Sequence, residues 1–114
     1  EDPSSKKSAY HYGVDIASDE NAEIKAVLSG KVETAEESPS YGKYIIIDHG
    51  NNIKSLYAHC NELKVNKGDN VTRNQTIALV GSTGDSTGNH LHLELMMDNK
   101  KYDPLPLINA SYEV

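Results

Sequence analysis

The chain has 114 residues, of which 37% are hydrophobic, and it carries a formal net charge of -6 and one cysteine. This length accommodates one domain with a modest core and is too short for two, and the single cysteine excludes an internal disulfide. The acidic balance, with no basic cluster, argues against nucleic acid and anionic membrane surfaces as partners, because both select for basic side chains.

The N-terminal segment differs in composition from the rest of the chain. Residues 1–10 are charged and Ser-rich, with no apolar periodicity, which predicts a polar tether ahead of a domain at residues 11–114. No apolar run reaches the roughly 20 residues of a membrane-spanning helix. Because the chain opens on Glu1 and not on Met, we expect a processed product or fragment whose missing N-terminal segment held a membrane anchor.

Short apolar runs separated by polar turns follow along the chain. The segment EIKAVLSGKVETA, residues 23–35, indicates two strands hinged at Ser29 and Gly30. The β-branched run KYIIIDHG, residues 43–50, predicts a strand that ends in a turn, in which His49 is an ordinary turn or hydrogen-bonded residue. These segments are of strand length and not of helix length.

The next strand is expected to end at His59. Within NNIKSLYAH, residues 51–59, strict alternation places Tyr57 and His59 on one face and Leu56 and Ala58 on the other. A tight turn is predicted at NKGDN, followed by the strands QTIALVG and HLHLELMM.

No segment has a sustained helical stripe, so the sequence predicts an all-β, largely antiparallel sandwich or barrel-like sheet in a single domain. The last segment, YDPLPLINASYEV, is interrupted by Pro104 and Pro106. Proline cannot donate to a sheet ladder, so we expect this segment to wrap the edge of the sheet.

Two histidines stand one residue apart in the strand HLHLELMM. Side chains alternate across a strand, so His90 and His92 project from the same face, roughly 6 to 7 Å apart, whereas Leu91 and Leu93 face the core. This spacing aims two imidazoles into one site.

A hydrolytic zinc site uses three protein ligands, commonly His and carboxylate, and leaves the fourth position for water. His11, Asp15 and one of the paired histidines satisfy that count. We expect Gly13 to let a loop fold back so that His11 and Asp15 reach the same ion. By chance alone, HxxxD is common and HxH less so, but both motifs together with His59 in one short chain favour a functional cluster over coincidence.

Four segments in order resemble the LytM or lysostaphin-type zinc endopeptidases of bacterial cell walls. These segments are HYGVD, YGKYIIIDHG, LYAH and GSTGDSTGNHLHLE, and the resemblance covers about residues 11–108. It implies the duplicated-hybrid-motif-like β fold of that family, with one Zn²⁺ and with peptidoglycan as the substrate. The sequence departs from the family at Leu93, usually Phe, and at Asn89, often Pro.

Carried over position by position, the resemblance implies that His11, Asp15 and His92 bind zinc and that His59 and His90 are catalytic. Zinc activates water and polarises the peptide carbonyl. We favour His59 as the base and His90 as the stabiliser of the oxyanion, although spacing does not decide between them. Tyr41 is either an additional substrate or oxyanion donor or an ordinary loop tyrosine.

Cys60 directly follows a predicted catalytic histidine. Near the metal it would compete as a soft ligand. Alternation points it to the opposite face from His59, so we expect a buried, inert thiol.

Within the family, the segment AVLSGKVETAEESPSYGKYIIIDH and the polar tether are similar to the extracytoplasmic domains of clostridial sporulation proteins of the stage II Q type. That likeness implies a membrane-anchored location at the outer face of the engulfed forespore. It also implies a second membrane protein, similar to stage III sporulation protein AH, as a partner. Some members have lost a zinc ligand and serve as scaffolds.

Two functions therefore stay open. In the first, the domain cleaves peptide bonds in wall material with bound zinc. In the second, zinc only braces the segment of His11 and Asp15, and a sheet edge docks a partner protein by strand addition.

Overall fold

The computed structural model describes residues 13–84, 88–97 and 100–102. The predicted tether at residues 1–10, the predicted ligand His11 and the Pro-rich segment after Tyr102 lie outside the described residues. No helix long and apolar enough to cross a membrane occurs within the described ranges.

The described chain folds into a single antiparallel sheet without helices, which confirms the predicted all-β class. Its nine strands are β1 (Gly13–Ala17), β2 (Glu23–Lys25), β3 (Gly30–Ser38), β4 (Gly42–Gly50), β5 (Ile53–Leu63), β6 (Asn70–Val71), β7 (Thr76–Val80), β8 (His90–Met97) and β9 (Lys100–Tyr102).

The strand order is β1-β8-β5-β4-β3-β6, and the sheet branches at β5. One edge of β5 pairs with β4. The other edge pairs with β8 through residues 53–58 and with β7 through residues 60–63. His59 therefore lies where the sheet divides into its two branches.

The core occupies one side of the main sheet. Ile45 and Ile47 of β4, Tyr57 of β5, and Leu91 and Leu93 of β8 are buried there. The β2 and β7 pair closes over this side, and Ile24, Ile77 and Val80 pack into the same cluster. The opposite side of β8 carries His90, His92 and Glu94, because a strand alternates its side chains between faces.

Strand β5 does not end at His59, and strict alternation is wrong there. The register with β4 shifts between the pairs Lys43–Cys60 and Ile45–Tyr57, and His59 has a φ of 64°. Such a bulge inserts one extra residue and redirects its side chain. Tyr57 and Cys60 both face the core, whereas His59 faces the opposite side with His90.

Asp15 lies on a strand and not on the loop that we expected. Residues 13–17 form β1, which pairs antiparallel with β8 over the register Gly13–Glu94 to Ala17–His90 and lies at the edge of the described part of the sheet. The GVDIA segment is too short to show a clear periodicity, and its pairing with β8 is what defines it as a strand.

Candidate metal centre and proton-transfer site

The pairing of β1 with β8 brings together two of the three predicted metal ligands. Asp15 and His92 are register partners in this antiparallel pair. Asp15 Oδ1 lies 2.7 Å from His92 Nδ1. Although 77 positions separate them along the chain, the two side chains point at a single spot on the face of the sheet away from the core.

The second ring nitrogen of His92 is held by a buried carboxylate. His92 Nε2 lies 2.9 Å from Glu94 Oε2, and Glu94 is 3% exposed. No role was predicted for Glu94 from the sequence. The sequence pattern that could have placed Glu94 in the site is its position two residues after His92, because alternation along a strand puts residues 90, 92 and 94 on one face. A carboxylate behind a ligating histidine orients the ring and raises its basicity.

Two carboxylates around one imidazole favour positive charge at this spot. Burial opposes protonation of His92, but the hydrogen bonds and charges of Asp15 and Glu94 outweigh it and raise its pKa to about 9. The hydrogen bond from His92 in turn lowers the pKa of Asp15, against the opposing effect of its partial burial. The arrangement stabilises a cation, whether that cation is a proton or a metal ion.

The donor set fits zinc. A metal ion would take the place of the Nδ1 proton that His92 shares with Asp15, while the Nε2 proton stays toward Glu94. Imidazole nitrogen and carboxylate oxygen are both ordinary zinc ligands. Among the described residues, no three His, Cys, Asp or Glu side chains are arranged so that they could hold one metal ion together. The third predicted ligand, His11, lies outside them.

His59 enters the site through the bulge in β5. Its ring centroid lies 5.1 Å from that of His90 and 6.0 Å from that of His92. His59 Nδ1 lies 2.7 Å from the carbonyl oxygen of Thr83. A carbonyl oxygen only accepts hydrogen bonds, so Nδ1 carries the proton and Nε2 of neutral His59 keeps its lone pair.

His90 has an acceptor near each ring nitrogen. Its Nδ1 lies 3.0 Å from the carbonyl oxygen of Gly88, and its Nε2 lies 3.6 Å from Asp15 Oδ1. A ring flanked in this way can serve as a donor at both nitrogens. The three imidazoles are therefore not equivalent. His92 directs Nδ1 at Asp15, and His90 has its Nε2 toward a carboxylate. His59 Nε2 has no hydrogen-bond partner among the described residues.

Tyr41 belongs to the cluster. Its hydroxyl lies 3.3 Å from Glu94 Oε2, and its ring stacks beside that of His92 with centroids 6.4 Å apart. Burial, followed by the charge of Glu94, raises the pKa of Tyr41 to about 12. The hydroxyl therefore stays protonated near neutral pH and is available as a donor.

His49 and Cys60 lie away from the site. His49 is part of β4 and not of the following turn, and its ring bonds the Ser29 carbonyl at 2.8 Å and Ser55 Oγ at 2.7 Å. Cys60 is fully buried in the core, and burial raises the pKa of its thiol to about 12. The prediction of an inert thiol agrees with this placement.

Residues 9–104 match the sequence profile of Peptidase family M23. Among curated proteins, Peptidoglycan DD-endopeptidase ShyB of Vibrio cholerae is 38% identical over 95 residues, which cover 83% of this chain and 22% of that protein. Stage II sporulation protein Q of Bacillus subtilis is 32% identical over 97 residues, covering 82% of this chain and 34% of that protein. The chain thus spans about a fifth to a third of the length of these curated relatives.

Solved structures with the same fold include a zinc-containing peptidase from Vibrio cholerae, with a TM-score of 0.78 and 38% identity over 80% of this chain and 28% of that one. The catalytic domain of lysostaphin from Staphylococcus simulans has a TM-score of 0.79 and 34% identity, covering 87% of this chain and 79% of that one. A chain of the solved complex of SpoIIIAH and SpoIIQ has a TM-score of 0.75 and 32% identity, covering 83% of this chain and 69% of that one.

Proposed function

Because the chain belongs to peptidase family M23, we propose that it is a zinc-dependent endopeptidase domain that cleaves peptide bonds in peptidoglycan. The observation that carries the proposal is the convergence of Asp15 and His92 beside His59, whose proton on Nδ1 leaves Nε2 as a base. The endopeptidase relative and the zinc-containing peptidase support the choice of substrate and metal.

In this proposal His11, Asp15 and His92 would hold one Zn²⁺. When bound, the metal lowers the pKa of water toward about 7 and polarises the scissile carbonyl. Glu94 keeps the His92 ring in the orientation that presents Nδ1 beside the Asp15 carboxylate. The raised pKa of His92 also means that protons compete with the metal for this nitrogen.

His59 is proposed to accept a proton from the attacking water at Nε2 and to pass it to the leaving amine. Its Nδ1–H stays hydrogen-bonded to the Thr83 carbonyl oxygen throughout, so the ring does not rotate between the two transfers. A fixed ring keeps proton acceptor and donor at one place, which is the geometric requirement for both steps.

His90 is proposed to stabilise the developing oxyanion, assisted by the Tyr41 hydroxyl. His90 has the Gly88 carbonyl oxygen 3.0 Å from Nδ1 and the Asp15 carboxylate 3.6 Å from Nε2, which suits a ring that donates. The oxyanion would become the hydrogen-bond acceptor for Nε2. Tyr41 is protonated and half-buried at the same face, so its hydroxyl can shift from Glu94 to the substrate.

Digestion of isolated peptidoglycan by the zinc-loaded chain tests this function. Masses of the released fragments identify the bond that is cleaved. We expect His59→Ala and His90→Ala to abolish release and keep the metal, whereas Asp15→Asn, His92→Ala and His11→Ala lose it. Asp19→Asn, at an exposed turn carboxylate, is the matched control and should retain both. A metal-loaded wild type that releases nothing contradicts the proposal.

A second function is favoured by the sporulation relative. The chain is similar to a stage II sporulation protein Q and to a chain of the solved complex of SpoIIIAH and SpoIIQ, so we also propose a partner similar to stage III sporulation protein AH. We place the domain outside the cytoplasmic membrane, where peptidoglycan lies, anchored by an N-terminal segment joined through the tether at residues 1–10. A scaffold function is supported if the wild type does not cleave peptidoglycan and if the His59→Ala variant still binds this partner protein.

A further inference from the structure

We propose that Thr83 is a positioning residue for His59. Its hydroxyl group bridges the two strands at the bulge, and its carbonyl group fixes the proton on the His59 ring. The kinetic consequence rests on the proposed function of His59 as a base, whereas the structural part does not. Thr83 lies in the loop between β7 and β8, within the segment GSTG at residues 81–84.

The Thr83 hydroxyl is bonded to the backbones of both β4 and β5. The Lys43 N–H donates to Thr83 Oγ1 at 3.1 Å, and Oγ1 donates to the Cys60 carbonyl oxygen at 2.6 Å. Lys43 and Cys60 are the register pair next to the bulge, directly before the shift toward Ile45 and Tyr57. A single side-chain hydroxyl from a distant loop therefore spans the ladder at the place where its register changes.

The carbonyl group of the same residue holds the imidazole. Thr83 O accepts the Nδ1–H of His59 at 2.7 Å. The backbone of His59 is held as well, because its N–H donates to the Tyr41 carbonyl oxygen at 2.7 Å. Ring and backbone are thus fixed by two loops, which supports a non-glycine residue at a φ of 64°.

Two glycines let the loop approach closely enough for these bonds. A Cβ at Gly42 would overlap the Thr83 backbone, and a Cβ at Gly84 would overlap the Gly42 nitrogen. Because neither Gly42 nor Gly84 has a side chain, the loop around Thr83 packs directly against the start of β4. In this position both the hydroxyl and the carbonyl group of Thr83 reach β5.

Valine has the shape of threonine without the hydroxyl group, so Thr83→Val isolates this contact. It removes the bridge from Lys43 N–H to the carbonyl of the fully buried Cys60. A buried carbonyl that loses its partner is unfavourable, so the loop should move and release the His59 ring. Thr83→Ser retains the hydroxyl. Thr72→Val is the matched control, because that hydroxyl is exposed and lies 3.5 Å from Gln75 Oε1, far from His59 in the sheet.

Nitrogen-15 spectra of the histidine rings of the 114-residue chain test the inference without any substrate. Above the pH range in which histidine titrates, wild type, Thr83→Ser and Thr72→Val should show His59 protonated on Nδ1 alone. Thr83→Val should show a mixture of the two tautomers at His59 and unchanged His92 signals. If that variant does not fold, Thr83→Ala, which removes the hydroxyl without adding bulk, takes its place.

Turnover of peptidoglycan provides the second readout. Thr83→Val should lower kcat by about a hundredfold, as expected for a misplaced catalytic group, with KM and zinc content unchanged and with recovery in Thr83→Ser. Wild-type tautomer signals at His59 in Thr83→Val or Thr83→Ala overturn the inference. If the wild type does not cleave peptidoglycan, the proposed function is wrong. The nitrogen-15 spectra of the His59 ring still decide the role of Thr83 in that case.

Discussion

Glu94 and His92 form a buried pair, with Glu94 Oε2 2.9 Å from His92 Nε2 and with the glutamate 3% exposed. The same carboxylate oxygen accepts the Tyr41 hydroxyl at 3.3 Å. One acidic side chain therefore connects a proposed metal ligand to a proposed oxyanion donor. Mutation of Glu94 and mutation of Tyr41 test the two roles separately.

Glu94→Gln should weaken zinc binding. The amide keeps the shape of the side chain but removes the negative charge behind the His92 ring. Loss of a carboxylate that is hydrogen-bonded to a ligating histidine typically lowers metal affinity about 10- to 100-fold. A competition titration with a chromogenic chelator measures the change. Glu62→Gln, at an exposed carboxylate paired with Lys64, should leave the affinity unchanged. Equal affinities in Glu94→Gln and wild type would remove Glu94 from the site.

Tyr41→Phe should slow turnover while zinc affinity stays the same. The variant keeps the ring beside His92 and removes only the hydroxyl donor, and the loss of one oxyanion donor costs about 10²- to 10³-fold in kcat. Tyr44→Phe is the control, since that ring lies 5.5 Å from Tyr41 and has no proposed role. A kcat for Tyr41→Phe equal to that of Tyr44→Phe would indicate an ordinary loop tyrosine.

Removal of zinc should lower the thermal stability of the chain, because the metal binds only the folded state. Free zinc at about 100 times its Kd contributes about 2.7 kcal/mol, which corresponds to a shift in Tm of about 10 °C for a domain of this size. Calorimetry with and without a chelator measures the shift. The Asp15→Asn variant should show no shift in Tm. If the Tm of the wild type is the same with and without the chelator, the site holds no zinc.

His49 should make the metal-free protein less stable at acidic pH. Burial lowers the pKa of His49, against the opposing effects of the Ser29 carbonyl and Asp48. A histidine with a lowered pKa contributes stability that is present above its unfolded pKa of about 6.5 and is lost as the pH falls below that value. Urea unfolding in chelator across this range should therefore show a steeper decline for wild type than for His49→Gln. Parallel curves would exclude His49 as the cause.

Gly84→Ala should destabilise the domain far more than Gly50→Ala. Both glycines have a positive φ, 75° and 86°, so both variants incur the same backbone strain of about 1 to 2 kcal/mol. A Cβ at Gly84 also overlaps the backbone of Gly42, whereas a Cβ at Gly50 meets nothing within 4 Å. Chemical denaturation should show that Gly84→Ala lowers the free energy of unfolding by about 1 to 3 kcal/mol more than Gly50→Ala does. Equal losses would mean that the loop adjusts freely.

Several of these features could be predicted from the sequence. The family membership and the all-β antiparallel class are confirmed. The strand predicted at KYIIIDHG is β4, which runs from Gly42 to Gly50. Alternation along HLHLELMM correctly directs Leu91 and Leu93 into the core and His92 away from it. In each case the signal is local, because periodicity and turn residues act within a few positions.

Other features depend on contacts between distant segments. GVDIA forms a strand because β8 supplies its hydrogen bonds, and Asp15 meets His92 through that register. His59 faces His90 because a bulge reverses the alternation of β5. The proton on its ring is set by the Thr83 carbonyl, 24 positions away. By itself, the sequence determined the fold class, the core face of each regular strand and the residue types of a metal site. Only the tertiary structure decided which side chains meet and which nitrogen each imidazole presents, because register, bulges and hydrogen-bond partners arise between segments that are far apart in the chain.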